Sequence, residues 1–281
     1  HECGIMRNGV PLHDAARPRV IGRLLGQAGY ECAYGGKWHV PEIAIPEGHG
    51  FERISGFNDH QLADACIQFL QRKHDSPFLL VASFDNPHNI CEWARQQPLP
   101  WGNIPDVPTQ ECPNLPSNFL PAPFEPDVIR REQARCLSVH PTINYPDHVW
   151  RHYRNAYFRL TEKVDRQIGR ILDQLRQSGL ERDTLVVFSS DHGDGMGAHR
   201  WNQKSVLFEE VVRIPFIFSM PGTVDEGVRD REHVVSNGLD LLPTLCDYAG
   251  VDTPEPSRGR SLRPLLEGSG ADQEVGEAVV E

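Results

Sequence analysis

Apolar positions along the chain recur with two different periods. From Arg19 to Gly29 the residues Val20, Ile21, Leu24, Leu25 and Ala28 follow helical spacing, and Gly29 supplies a stop signal. Glu31 to Tyr34 predicts a short strand running into Gly35-Gly36-Lys37-Trp38-His39, and Leu62 to Leu70 predicts a second helix. Pro77 to Phe84 is a uniformly apolar run of strand length, which predicts burial on both faces, as in a parallel sheet. His148 to Gly179 predicts one long helix, with Tyr157, Leu160, Val164, Ile168, Ile171, Leu172 and Leu175 on one stripe. Thr184 to Ser190 predicts another buried strand, Gln203 to Val211 a short helix, Ile214 to Ser219 a strand, and Gly238 to Ala249 a helix stopped by Gly250. This β-α-β rhythm predicts an α/β fold, with a mostly parallel sheet sandwiched by helices.

Residues 89–148 break the rhythm. They hold eleven of the 23 prolines and show little periodicity. A stretch that long without regular structure is unusual inside a compact domain, so it reads as a lid, a substrate-binding insertion or a meandering surface loop.

The length of 281 residues suits one large α/β domain or two small ones. With 28 basic against 39 acidic residues the formal charge is −11, which repels a phosphate backbone and argues against nucleic-acid binding. No apolar run reaches the ~18 residues a membrane-spanning helix needs. The seven cysteines, Cys3, Cys32, Cys66, Cys91, Cys112, Cys136 and Cys246, form no C-x-x-C pair. That excludes zinc-ribbon and thioredoxin chemistry and predicts scattered buried thiols. No N-x-S/T sequon is present.

Three polar clusters stand where predicted strands end. Lys37 and His39 follow the first, His88 follows Phe78 to Phe84, and Asp191-His192 follows Leu185 to Ser189. In open α/β sheets, ligands bind beyond the carboxyl ends of strands. Asp191 and His192 are a carboxylate and an imidazole that can both ligate a divalent cation, or a turn aspartate with a capping role. Lys204 and Lys37 are compact charges suited to an oxyanion, and Gly35 and Gly36 permit close backbone approach at Lys37. His39 and His88 are candidate hydrogen-bond donors or general acids. Gly193-Asp-Gly-Met-Gly197 lacks the Lys-Ser/Thr ending of a P-loop and the dinucleotide spacing, and Ser189-Ser190 lies in no G-x-S-x-G elbow.

These segments, in this order, resemble the sulfatase family of the alkaline-phosphatase-like superfamily. Ala28-Gly29-Tyr30 through Gly36-Lys37-Trp38-His39 is similar to its "AGY…GKWH" segment, and Asn86-Pro87-His88 to its "PH" segment. Ser190-Asp191-His192-Gly193 through His199 to Lys204 is similar to "SDHG…H…K", followed by Arg213-Ile214-Pro215-Phe216. Asp240 to Leu245, Ala249-Gly250-Val251, Gly259 to Leu262 and Pro264 to Leu266 resemble the end of a catalytic domain, so the likeness spans residues 1 to about 266, with 267–281 starting a C-terminal segment. The resemblance implies hydrolysis of a sulfate ester by a formylglycine nucleophile with a Ca2+ or other divalent ion. It implies Asp191 and His192 as metal ligands, Lys37 and Lys204 on the sulfate charge, His39 on the formylglycine, and His88 at the sulfate or leaving oxygen. His199 and, by aromatic stacking on a sugar, Trp93 or Trp101 become substrate candidates. A small-molecule or oligosaccharide sulfate is the implied substrate, in the periplasm or outside the cell; oligomeric state is left open.

One departure is plain. No C/S-x-P-x-R motif occurs in the chain, and His1-Glu2-Cys3-Gly4 to Asn8-Gly9 resembles the stretch just after that nucleophile. The expectation is therefore that the first strand, the first Asp pair and the nucleophile precede His1. The sheet would then have an open edge, and this chain alone would turn nothing over. The other readings are a phosphonate or phosphodiester hydrolase of the same superfamily, or a non-catalytic relative that binds sulfated ligands.

Overall fold

The computed structural model of the protein describes residues 14–39, 46–135 and 141–269, without the side chain of Ala15. The His1 to Gly9 segment, Cys3, Cys136 and residues 270–281 lie outside the described residues. The elements are α1 (Ile21–Gln27), β1 (Glu31–Gly36), β2 (Glu52–Arg53), α2 (Asp59–Leu70), β3 (Phe78–Ser83), α3 (Ile90–Ala94), α4 (Asp127–Arg135), α5 (Asp147–Gln177), β4 (Val186–Ser189), α6 (Glu209–Val212), β5 (Phe216–Ser219), α7 (Asn237–Ala249) and α8 (Arg263–Leu266). The chain divides into two compact units: 1–84 with 170–188 and 216–281, and 85–169 with 189–215.

The first unit is layered as the apolar runs require. β1 pairs in parallel with β2 on one side and with β3 on the other, in register from Glu31 opposite Phe78 to Gly36 opposite Ser83. Alternate side chains of β3 serve opposite faces. Phe78 and Leu80 pack with Ala33, Phe69, Leu70, Ile171 and Leu175, so α2 and the last turns of α5 cover that face. Leu79 and Val81 pack with Leu25, Cys32, Phe51, Ala249 and Val251, so α1 and α7 cover the other. A helix layer on each side of parallel strands is the predicted α/β architecture.

The closest backbone approach in this sheet is at Gly36. Its φ is +94°, and a Cβ there would lie 2.0 Å from the Ser83 carbonyl oxygen. Only glycine fits. The Lys37 amide then donates to that same oxygen at 2.7 Å.

β4 bonds only to β5 among the described residues, so β3 and β4 both end as edge strands. Val186 joins the core beneath α2 and α5. Phe188 and Ile217 remain 39% and 56% exposed, so this pair is not buried on both faces as its apolar run predicts.

The second unit is built on the first part of α5. Trp150, Tyr153, Ala156 and Leu160 form its core with Ile90, Cys91 and Ala94 of α3 and with Phe119. Trp93, Leu99, Ile104, Leu115 and Tyr145 pack around them, so the Pro-rich stretch is wrapped onto a helix and is not a free surface loop. That stretch also contains α3 and α4, which sequence periodicity misses. α3 has five residues, and α4 (DVIRREQAR) carries only Val128 and Ile129 as large apolar side chains, too few to mark a stripe.

The predicted helix Gln203 to Val211 is a correction. Only Glu209–Val212 is helical, and Gln203 and Ser205 take left-handed φ values of 68° and 73°. The Gln203 N–H and C=O are bonded to Asp194 and to Gly195, so neither joins a helix ladder.

Candidate active site

β1, β3 and β4 are each followed by a candidate residue: Lys37 directly after Gly36, His88 in the segment after Ser83, and Asp191 in the turn after Ser189. In the first unit, Lys37 follows β1 with its peptide pinned to Ser83. The Tyr34 hydroxyl donates to the Lys37 carbonyl, and the Trp38 ring packs edge-on against Tyr34 at 4.9 Å. His39 is exposed at the end of that described stretch.

The other candidates belong to the second unit. His88 follows β3 and is 40% exposed at its side chain. Its amide donates to the Asp85 carbonyl at 2.9 Å, and its Nδ1 lies 3.9 Å from Asp85 Oδ1. The buried Asp85 carboxylate accepts from Asn89 Nδ2 at 2.6 Å and from Trp101 Nε1 at 3.1 Å. Asp85 thus ties the strand end that bears His88 to the Pro-rich stretch that bears Trp101.

Asp191, His192 and Lys204 are brought together. The turn after β4 is fixed locally: Ser190 Oγ donates to the His192 carbonyl at 2.8 Å, and the His192 amide donates to Asp191 Oδ1 at 3.0 Å. At Gly193 a Cβ would meet the Glu210 carbonyl oxygen at 2.0 Å, so the chain passes α6 with no side chain. His192 Nδ1 faces the Gly193 carbonyl at 2.7 Å, and a carbonyl only accepts. Nδ1 therefore carries a proton, and Nε2 accepts from Lys204 Nζ at 2.8 Å. Asp191 Oδ2 lies 3.4 Å from the same Nε2.

This donor set fits a divalent cation as part of a site. A carboxylate oxygen and an imidazole nitrogen, the latter oriented through its other nitrogen, lie 3.4 Å apart, and the Lys204 ammonium sits 2.8 Å from that same nitrogen. No group of three or more His, Cys, Asp or Glu side chains gathers for a metal among the described residues.

Lys204 rides on a loop under backbone strain. Met196, His199, Arg200, Gln203 and Ser205 all have φ between 47° and 73°. Each left-handed non-glycine residue costs on the order of 1 kcal/mol, so the conformation is held by its surroundings. Asp194, missed by the sequence reading, closes the loop. Its Oδ1 accepts from the Met196 amide at 2.8 Å, its Oδ2 from the Gln203 amide at 2.9 Å, and the buried Tyr153 hydroxyl donates to it at 3.2 Å. Desolvation raises the Asp194 carboxyl above its usual range, opposed by these hydrogen bonds. Burial, and then the Asp194 charge, raise the Tyr153 hydroxyl well above its usual range. The available signal was an aspartate flanked by glycines, the kind that bonds a backbone amide two residues on.

The other two candidates have packing partners. The His199 ring lies on Phe208 at 4.4 Å between centroids, and its amide donates to the Asn118 carbonyl at 2.7 Å. Trp93 is partly buried and edge-on to Tyr153 at 5.9 Å.

Comparison with known proteins gives the family. The Sulfatase family profile matches residues 46–251. A Delta 4,5-hexuronate-2-O-sulfatase of Bacteroides thetaiotaomicron is 31% identical over 273 residues, covering 88% of this chain and 54% of the relative. An N-acetylglucosamine-6-O-sulfatase of the same organism is 35% identical over 325 residues, covering 88% and 57%. The chain thus spans about half the length of the curated relatives it matches. The solved structure of a 2-O GAG sulfatase superimposes with a TM-score of 0.82 at 27% identity, over 97% of this chain and 62% of that one. A phosphonate monoester hydrolase of Agrobacterium radiobacter shares the fold, with a TM-score of 0.69 at 20% identity. The α/β layering, the relatives above 30% identity and a profile match across most of its length agree: the chain belongs to the sulfatase family.

Proposed function

We propose that the protein hydrolyses a sulfuric ester of a carbohydrate. The observation that carries this reading is the convergence of Asp191, His192 and Lys204 past the end of β4, with Lys204 Nζ 2.8 Å from His192 Nε2. Sulfate-ester cleavage builds negative charge on sulfate and leaving oxygens, and preorganised cationic groups stabilise that charge most where it develops. Lys204 supplies one such charge. Lys37, rigid at the end of β1, supplies another. His88 protonates or hydrogen-bonds the leaving oxygen, and His39 would hydrogen-bond the formylglycine that the family uses. Asp191 and His192 would hold a divalent ion, Ca2+ in this reading, which would supply further positive charge to the sulfate. His199 and Trp93 are the candidate sugar contacts, each already packed against an aromatic neighbour. The 2-O- and 6-O-sulfatase relatives point to sulfated hexuronate or glucosamine units, and the family resemblance points to a location in the periplasm or outside the cell.

The test is an assay of the gene's whole product with calcium, on a hexuronate 2-O-sulfate, an N-acetylglucosamine 6-O-sulfate and a phosphonate monoester. Sulfate release from either sugar is the expected result. Phosphonate turnover with no sulfate release would transfer the protein to the phosphonate reading. Binding of the sulfated sugars without any turnover would make it a non-catalytic relative.

A further inference from the structure

The strained loop that carries Lys204 is gripped from outside by the Pro-rich stretch. The Asn118 carbonyl accepts from the His199 amide at 2.7 Å. Thr142, fully buried, donates its hydroxyl to Asn202 Oδ1 at 2.6 Å. Gln133 of α4, 5% exposed, donates Nε2 to the Arg200 carbonyl at 2.7 Å, while its Oε1 accepts from Arg130 at 3.1 Å, which fixes the orientation of the amide. One helical turn earlier, Ile129 packs on the cluster of Trp201, Val206 and Val211 that flanks Lys204. The other large apolar side chain of α4, Val128, is exposed, so the helix presents two inward groups, one apolar and one hydrogen-bonding, and both meet this loop.

We infer that the Pro-rich stretch positions Lys204, and that Gln133 is a positioning residue of the sulfate-ester site. The inference rests on the sulfatase reading above for what Lys204 does, and on the loop contacts alone for how it is held. Residues in left-handed backbone conformations persist only where surrounding contacts over-determine them. Arg200, at φ 55°, is such a residue, and its carbonyl is the atom Gln133 holds. Releasing it lets the Ala198–Arg200 turn relax, and Lys204 loses its fixed place while its charge remains. A displaced charge weakens the transition state more than the ground state, so turnover suffers and affinity is nearly kept.

The test compares Gln133→Met, which keeps size and loses the donor, with Gln133→Glu, which keeps the Arg130 partner and sets a carboxylate against the Arg200 carbonyl. Arg131→Ala, on the exposed side of α4, controls for general loss of that helix. Amide hydrogen exchange on the chain as it stands is expected to quicken about tenfold at Gly197, Arg200 and Trp201 in both Gln133 variants and to stay unchanged in Arg131→Ala. On the gene's whole product, kcat is expected to fall about tenfold with KM within about twofold. Unchanged exchange in Gln133→Met would overturn the inference, and so would faster exchange with kcat intact. A wild-type product that releases no sulfate would instead sink the functional reading, and the exchange measurement would still decide whether α4 holds the loop.

Discussion

Asp194 has two backbone tasks that no neutral isostere can share. Each carboxylate oxygen accepts from a different end of the loop, Met196 on one side and Gln203 on the other. In Asp194→Asn one of these positions becomes an NH2 that faces an N–H, leaving a buried donor unmet. A loss of about 1–3 kcal/mol is expected, read as a lower urea midpoint at unchanged slope. On the sulfatase reading, Lys204→Ala in the gene's whole product removes charge without touching that frame, so turnover on a sugar sulfate should fall roughly 10²–10³-fold with little change in stability. Near-normal turnover would remove Lys204 from the site. Asp191 and His192 stood out in the sequence as a carboxylate and an imidazole just past a predicted strand, and Lys204, 12 residues beyond His192, stood out through the ordered resemblance. Asp194 was not, since its partners Gln203 and Tyr153 lie 9 and 41 residues away along the chain.

Elements that bury an apolar face were the legible ones. α1, α2, α5 and α7, with β1 and β3, follow the predicted spans closely, because their cores are read directly from periodicity. α4 and the 201–208 turn were not legible. Their conformations are set by hydrogen bonds to distant segments, which leave no local period. The strand pair β1–β3 offers a sharp check. In Gly36→Ala the new methyl meets the Ser83 carbonyl at 2.0 Å and also sits at φ +94°, so the strands must part where Lys37 begins. A loss of at least ~2 kcal/mol is expected, with a correspondingly lower melting temperature. Gly26→Ala, with nothing within 4 Å and a helical position, should be neutral or stabilising.

Across the whole molecule, the buried thiols set an alkaline limit. Cys32, Cys66, Cys91, Cys112 and Cys246 are all free and buried, as the scattered spacing predicts for the described cysteines. Burial pushes Cys32 and Cys91 to about 11 and Cys66 to about 12, from an ordinary 9.0. A thiol whose value is raised in the fold favours folding below its unfolded value and loses that contribution as pH climbs through the folded one. The urea midpoint should therefore hold up to about pH 9 and fall between about 9 and 12. Cys66→Ala, which has no proton to lose, should soften that fall, and an identical profile in the variant would contradict it. The formal charge of −11 acts in the same direction by self-repulsion.

The five left-handed side-chain-bearing residues between Met196 and Ser205 also make a forecast about tolerated sequence. Glycine relieves the backbone at each of these positions, so a saturation library sorted for folded protein should enrich glycine at Gln203 and Ser205. On the sulfatase reading, the same library in the gene's whole product, sorted for sulfate release, should deplete it, because a relaxed backbone no longer fixes the lysine between them. Opposite enrichment under the two selections would mark this loop as a place where the fold gives up durability to keep a charge in position.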